Sequence, residues 1–349
     1  MADSQQRPAR AHHLVSKFYL RHFANEEDQI TTVLLPGDRV FNQSVNRASV
    51  GNDYYTAIGH DGLETDAAER AFNEIEGRAS EVWRLIADGG WPLPRAEREV
   101  VAGWIALHLL RGRSSRAAMS EIGTDLLNLE VITGGTARLR NMLRDIGEPD
   151  DDESVARKWI SLFAEPLAVR ANANHHLTHI ANMLPRVTES LLHRWWVLTS
   201  FERKGLASCD QPVHIVPNER DLALGMGTGI ETADQIHVPL TRRLSLGMAR
   251  RDAIPSVLAA LNGDVRQPGV SKVALYCNSC TVNSARRVIF HHPDDQPLAG
   301  LDLHPPRTRE VGSDGDPWRF MSPADRQLLL DAGLTPPQGG PGEPGLSEG

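Results

Sequence analysis

The stretch AERAFNEIEGRASEVWRLI, residues 68–86, decides the fold class because it has the pattern of a long amphipathic helix. Its apolar residues recur at steps of three and four, which place them on one face of an α-helix. Gly89-Gly90 ends this helix. Residues 97–119 repeat the spacing, and we expect further helices near 121–145, 153–164 and 166–191. The N-terminal half is therefore expected to be largely helical.

The chain changes character at Trp195. Residues 195–199 and the segments that follow, to about Met248, are typical of short strands between turns. We also expect strands at 29–35, 54–57 and 287–290, and helices at 18–23, 270–286 and 322–334. Helices in one block and strands in another predict an α+β fold, in which the helical N-terminal half packs on a smaller, mixed β-rich C-terminal half.

The same pattern predicts the domain organisation. We expect a single α+β domain over residues 12–335, made of a helical block at about 62–191 and a strand-rich block at about 192–290. Residues 1–11 are predicted to be a flexible arm. Residues 336–349 are predicted to be a disordered tail, because a segment rich in proline and glycine buries too little apolar surface to become ordered.

Composition excludes several classes of protein. The net charge of -8 argues against broad, nonspecific nucleic-acid binding, which needs a basic surface. Three cysteines are too few for a disulfide framework and favour a reducing compartment. No stretch approaches the ~18 consecutive apolar residues of a membrane span, and the first residues lack the apolar run of a signal peptide. We therefore expect a cytoplasmic protein without a membrane partner.

Two adjacent histidines, His12 and His13, begin the most polar candidate segment. Imidazole titrates near neutrality and binds metals, whereas buried histidines need partners for both ring nitrogens. Neighbouring side chains of an extended segment point in opposite directions, so we expect one of the two to enter a site. The alternative is a locally hydrogen-bonded or surface histidine. Arg21, nearby, can hold a phosphate or carboxylate with its planar fork, or form a structural salt bridge.

Glu69 and Glu76 lie on one stripe of the first long helix, at the edge of its apolar face. Such carboxylates can bind a divalent cation or act as acid and base, although a solvated helix face is the usual place for glutamate. Arg111 and His108 share a face of the next helix. Arg111 is expected either to contact a substrate or to neutralise one of the two glutamates.

Asp210 follows a strand-like segment and precedes Gln211-Pro212, which favours a turn. It is a candidate base or metal ligand, and the alternative is an Asx turn. Cys209 is a weaker candidate because a neighbouring carboxylate does not lower a thiol pKa. The single Cys-x-x-Cys at Cys277 and Cys280 lacks the two further ligands of a structural zinc site.

These segments together resemble the bacterial and fungal family called domain of unknown function 4238. Six motifs in order carry the resemblance, over roughly residues 12–290: His12-His13 with Phe18-Tyr19-Leu20-Arg21 and Phe23, Glu69 to Gly77, Ile105 to Arg111, Ser208 to Val213, Val238-Pro239-Leu240 with Leu244-Ser245-Leu246, and Asn278 with Val288. Cys209 and Gln211 replace the serine and asparagine that are usual beside the aspartate. The resemblance implies no reaction, since the family is named for the lack of one.

Two hypotheses follow for the function. The first is a hydrolase of a phosphate ester, such as a nuclease, in which a divalent cation activates water and arginine stabilises the developing charge. Its candidate residues are His12, His13, Glu76 and Asp210 for catalysis, Arg21 and Arg111 for the anionic or phosphate-bearing ligand, and Glu69, Glu76 and Asp210 for the metal. The second is a non-catalytic binding or regulatory protein whose polar motif is structural. Convergence on an open pocket would favour the first, and pairing in a closed interior would favour the second.

Overall fold

The computed structural model describes residues 11–52, 54–55, 57–58, 63–164, 167–223, 227–253, 263–307 and 317–336. The predicted arm at 1–11 and tail at 336–349 therefore lie outside the described residues, except for Ala11 and Pro336. Tertiary contacts divide the chain into two compact units, whereas the sequence pattern predicts a single domain over residues 12–335. The first unit comprises Met1–Arg116 and Asn172–Thr308, and the second Ala117–Ala171 and Arg309–Gly349.

The fold is α+β, as predicted, and long helices dominate its central part. The helices among the described residues are α1 Lys17–Arg21, α2 Ala67–Ala87, α3 Arg95–Arg111, α4 Arg113–Asp145, α5 Asp152–Ala164, α6 Ala173–Leu192, α7 Glu219–Ala223, α8 Ser271–Ser284 and α9 Pro323–Asp331. None of these helices combines the length and the apolar composition needed to cross a bilayer.

Two predicted helix boundaries were wrong for local reasons. The helix expected over 97–119 is interrupted at Gly112, whose extended backbone (ψ 161°) separates α3 from α4. The helix expected over 166–191 begins only at Ala173. There Asn172 caps it, because its side-chain oxygen accepts a hydrogen bond from the backbone N–H of His175 at 2.9 Å.

In the described part of the chain, strands form two larger sheets and two small ribbons. The strands are β1 Ala11–His13, β2 Gln29–Leu34, β3 Arg39–Ser44, β4 Val50–Asn52, β5 Ala57–Ile58, β6 Glu64–Thr65, β7 Trp195–Ser200, β8 Ser208–Cys209, β9 His214–Val216, β10 Gln235–Thr241, β11 Leu244–Ala249, β12 Val265–Pro268 and β13 Val288–His291. The five-stranded sheet has the order β12-β7-β11-β10-β9, with only the β12–β7 pair parallel. The four-stranded antiparallel sheet has the order β3-β2-β13-β8.

The four-stranded sheet joins strands that lie far apart in the chain. It pairs β2 and β3 with β8 and β13, so strands from both ends of the first unit share one sheet. The strand expected over 54–57 was also wrong in part. Tyr54 and Tyr55 lie in a bend, and Ala57 pairs with Thr65 in the β5–β6 ribbon.

The core of the first unit places the N-terminal segment next to α3. This helix is buried on nearly all sides and packs against α2 and α6. Tyr19 and Phe23 are fully buried in the same core, and the Tyr19 hydroxyl donates to the carbonyl of Pro239 in β10 at 2.7 Å. The indole of Trp83 in α2 donates to the carbonyl of Leu240 at 3.0 Å. The N-terminal segment, the helices α2 and α3, and strand β10 therefore pack around one core.

The second unit has a core of its own around Trp159, Trp318 and Leu329. Inside α4, Gly135 has a φ of +62°, and a Cβ there would collide with the Asp325 carboxylate. That carboxylate accepts from the Thr136 hydroxyl at 2.8 Å. The glycine therefore lets the kinked helix approach α9 closely.

Candidate functional site

His12 uses both of its ring nitrogens. Its side chain is 3% exposed, and Nδ1 accepts a hydrogen bond from the backbone N–H of Tyr55 at 3.1 Å. Because Nδ1 is an acceptor, the proton of the neutral ring lies on Nε2, which faces the Glu69 carboxylate at 3.4 Å. His12 therefore has no free nitrogen for a metal or a substrate in this arrangement, and Glu69 is placed beside it.

His13 differs from its neighbour because one of its nitrogens is unused. Its Nδ1 is buried and has no hydrogen-bond partner among the described residues. Burial, with a smaller contribution from the Lys17 charge, lowers the pKa of His13 to about 4, although Glu76 acts in the opposite direction. The ring is therefore neutral at pH 7. The expectation that one of the two histidines enters a site stays a prediction.

Arg111 forms a buried ion pair with Glu76. The guanidinium is 1% exposed, and its Nη1 lies 2.5 Å from Glu76 Oε1. Its Nη2 donates to Ser16 Oγ at 3.1 Å and lies 2.7 Å from His108 Nε2. The structure thus realises the structural interpretation of Arg111, in which it neutralises a glutamate of the neighbouring helix.

His108 links this ion pair to the centre of α3. Its Nδ1 lies 3.0 Å from the Trp104 carbonyl, which can only accept, so Nδ1 carries the proton and Nε2 accepts. Burial and the neighbouring Arg111 charge hold the pKa of His108 well below its usual value. The Trp104 indole donates to Ser16 Oγ at 3.1 Å, which in turn lies 3.0 Å from His108 Nε2. The His108 ring is therefore neutral, and its hydrogen-bond partners all belong to this network.

Sequence reasoning missed Ser16, Trp104 and Tyr55 in this network. Ser16 precedes α1 and would be taken for a helix cap, yet its side chain makes no capping hydrogen bond. The Tyr55 hydroxyl donates to the carbonyl of Arg111 at 2.8 Å, which fixes the end of α3. Trp104 and Tyr55 carry large, mostly apolar rings, so the sequence alone assigns them to the hydrophobic core. Their hydrogen bonds to Ser16 and Arg111 become visible only in the three-dimensional structure.

Asp210 serves a different part of the fold. Its Oδ1 accepts from the backbone N–H of Arg286 at 2.9 Å, and Oδ2 accepts from that of Arg287 at 3.0 Å. Burial raises the pKa of Asp210, while these two N–H groups lower it. The carboxylate therefore caps the turn between α8 and β13, an arrangement that is neither the predicted base or metal ligand nor the alternative of an Asx turn. The structure gives Asp210 these partners rather than the N-terminal histidines.

The remaining candidates also have separate partners. Arg21 is about half exposed and faces Asp28 at 3.3 Å, which is the salt-bridge alternative. Glu69 faces His12, Glu76 binds Arg111, and Asp210 accepts from backbone amides, so these three carboxylates do not share one ligand position. In the described part of the chain, no group of three His, Cys, Asp or Glu side chains is arranged to hold a metal ion.

The family is established by a match to residues 11–295, which together include every candidate residue. That match is to the family described as "Protein of unknown function (DUF4238)". The chain belongs to the DUF4238 family. The resemblance stated from the sequence motifs is confirmed, and the matched region of this DUF4238 chain contains the whole polar network. No curated protein and no solved structure matches the chain.

The thiols of this DUF4238 chain are held in their protonated form. Cys209 is fully buried, and burial together with the Asp210 charge raises its pKa well above the usual value. Its Sγ lies 3.8 Å from His214 Nε2, and His214 Nδ1 lies 3.1 Å from His237 Nδ1. Burial likewise raises the pKa of Cys277 to about 11. These cysteines therefore lack the thiolate character of nucleophiles.

We expect the free energy of unfolding to fall as the pH is lowered from about 6.5 to 4. The folded state keeps His13 neutral down to a pKa of about 4, whereas an unfolded histidine takes up a proton near pH 6.5. His13→Asn should make this dependence shallower, because one of the contributing groups is gone. Urea unfolding at pH 7, 5.5 and 4 measures the slope. The exposed His193→Asn is the control and should keep the wild-type slope, and equal slopes for all three proteins would contradict the prediction.

Proposed function

We propose that this DUF4238 protein is a non-catalytic binding or regulatory protein. In it, a polar motif holds the N-terminal segment, residues 12–23, against α2 and α3. The motif consists of His12, His13, Ser16, Glu69, Glu76, His108 and Arg111. One observation supports this most directly: most polar atoms of the motif already have partners within the fold, and among the described residues the buried exceptions are His13 Nδ1 and Arg111 Nε. Both nitrogens of His12 have partners, and Arg111 contacts Glu76, His108 and Ser16 while only 1% exposed.

Engagement of this kind opposes catalysis for a physical reason. A general base must keep an atom within hydrogen-bond reach of the proton that it removes. His12 would have to give up Tyr55 or Glu69 to do so. Arg111 would have to leave Glu76, and its guanidinium, which is only 1% exposed, would then be a buried charge without its partner, which is costly. The motif is therefore better suited to specifying how the N-terminal segment packs.

A second candidate function, hydrolysis of a phosphate ester including nuclease activity, is favoured by His13. Its Nδ1 has no hydrogen-bond partner among the described residues, and the ring is neutral at pH 7. The nearby charge of Glu76 acts to raise its pKa. In this alternative His13 would accept a proton from water. A divalent cation would be held by Glu69 or Glu76, each of which would have to exchange its present partner.

The proposed ligand is anionic or phosphate-bearing, and the proposed location is the cytoplasm. All three cysteines of the chain are free, which is the state that a reducing compartment maintains. The net charge of -8 disfavours nonspecific nucleic-acid binding. An anionic ligand would therefore be bound at a local basic site.

Turnover of a chromogenic phosphodiester separates the two candidate functions. We expect the wild-type protein, assayed with Mg²⁺ or Mn²⁺, to give no hydrolysis above the buffer rate, because the motif is engaged. His13→Asn should behave in the same way and remain folded by circular dichroism. Turnover that disappears in His13→Asn, but persists in the exposed His175→Asn, would refute the non-catalytic proposal and favour the hydrolase.

A further inference from the structure

An open cleft of about 780 Å³ lies at the C-terminal end of α6, in the first unit. One wall is a stripe of α6 formed by Arg186, Glu189 and His193, which are spaced to share one helix face. The other wall includes Arg250 and Arg251, which follow β11. Its volume is within the range of small-molecule sites. We call this feature the arginine cleft.

Three carboxylates line the arginine cleft: Glu189 and Asp252 have cationic or histidine partners, whereas Glu231 is exposed and has no ion pair among the described residues. Asp252 accepts two hydrogen bonds from Arg250, at 2.9 and 2.8 Å. Glu189 faces His193 at 3.4 Å. Arg251 donates through Nε to the backbone carbonyl of His193 at 3.0 Å. Within the described residues, Arg186, Arg194 and Arg251 form no ion pair with a carboxylate.

Arg194 lies beneath the arginine cleft as a buried cation. Its side chain is 3% exposed and donates to the carbonyls of Ile230 and Met248, while its Nε has no partner among the described residues. Burial lowers the pKa of Arg194 and the nearby Arg250 lowers it further, whereas the charges of Asp234 and Asp252 act in the opposite direction. The hydrogen bonds of Arg194 go only to neutral carbonyls, and the two nearby aspartates already face Arg250, so a further anion is favoured here.

The guanidinium groups of Arg98 and Arg251 lie close together in the same region. A smaller cavity of about 470 Å³ shares Arg251, Glu189 and His193 with the arginine cleft and is lined by Arg98. Burial lowers the pKa of Arg98 to about 10, and the charge of Arg251 lowers it further. Arg98 is held by Asp264 and lies over the Trp196 ring at 4.1 Å. Bringing an anion between such cations relieves their mutual repulsion.

From this arrangement we infer that the arginine cleft binds a small phosphate-bearing anion, with Arg186 and Arg251 contacting the phosphate oxygens and Arg194 supplying positive potential from beneath. Planar guanidinium forks match the oxygens of a phosphate and bind it through charge-assisted hydrogen bonds. This site is separate from the N-terminal polar network. It therefore stands whether that network is structural or catalytic.

Isothermal titration calorimetry with inorganic phosphate and with pyrophosphate tests the site. The full-length protein should bind pyrophosphate more tightly than phosphate, because two phosphoryl groups engage more of the arginines. Arg186→Gln and Arg251→Gln should each weaken pyrophosphate binding about tenfold, the effect typical of one lost hydrogen bond to a charged group. Both side chains are exposed, so both variants should remain folded.

The matched control is Arg78→Gln, which removes one exposed arginine from α2 and should leave the affinity unchanged. Citrate serves as a carboxylate probe and should bind more weakly than pyrophosphate. Three results would overturn the inference: no binding of either phosphate probe at millimolar concentration, an equal loss in Arg78→Gln, or citrate binding as tight as that of pyrophosphate.

Discussion

Replacing Arg111 with methionine is expected to lower the free energy of unfolding by about 3–5 kcal/mol, the usual cost of removing one partner of a buried ion pair. The substitution leaves the Glu76 carboxylate, whose side chain is 18% exposed, without its cation. It also removes the donor that Ser16 and His108 share. Urea unfolding at pH 7 measures the loss, and the exposed Arg95→Met serves as the control and should have little effect.

A double-mutant cycle shows whether the loss belongs to the pair. Glu76→Gln alone removes the charge and leaves the buried Arg111 guanidinium unneutralised, so it should also be destabilising. Arg111→Met combined with Glu76→Gln should then cost clearly less than the sum of the two single changes, because no unpaired charge remains. Additive losses, or an Arg111→Met protein as stable as Arg95→Met, would show that the network does not stabilise the fold.

The helices were predictable because their signal is local. The apolar spacing from Ala68 to Ile86 gives α2 almost to the residue, since one face of a helix repeats every three to four positions. Gly112 marks the break between α3 and α4 and could have been recognised as a helix end. The pairing of Arg111 with Glu76 was one of two alternatives, because opposite charges on neighbouring helices commonly meet.

The partners of the other polar residues could not be predicted from sequence. Tyr55 presents a backbone N–H to His12, and Arg286 and Arg287 present theirs to Asp210. Every residue except proline carries this donor, so no residue type reveals it. The four-stranded sheet could not be predicted for the same reason. Strand β13 pairs with β2 and β8 through backbone hydrogen bonds between segments that are distant in the sequence. The residue types therefore indicated which side chains are polar candidates, but their hydrogen-bond partners were set by the tertiary fold.

Removing the carboxyl group of Asp210 is expected to destabilise the fold rather than abolish a function. Asp210→Ala leaves the backbone N–H groups of Arg286 and Arg287 without the oxygens that now accept from them. An unsatisfied donor costs about 1–3 kcal/mol when buried. Because Arg287 is exposed, water can replace one of the two acceptors. We therefore expect a loss of about 2 kcal/mol in urea unfolding at pH 7.

Asp210→Asn should lose about half as much, because its amide oxygen still accepts one hydrogen bond while its amide nitrogen accepts none. Asp88→Ala, which removes an exposed aspartate at the end of α2, is the control and should cost little. A site shared with the N-terminal histidines requires the opposite result, full stability with loss of ligand binding or turnover. An Asp210→Ala protein as stable as Asp88→Ala would therefore contradict the capping role and favour a place for Asp210 in the functional site.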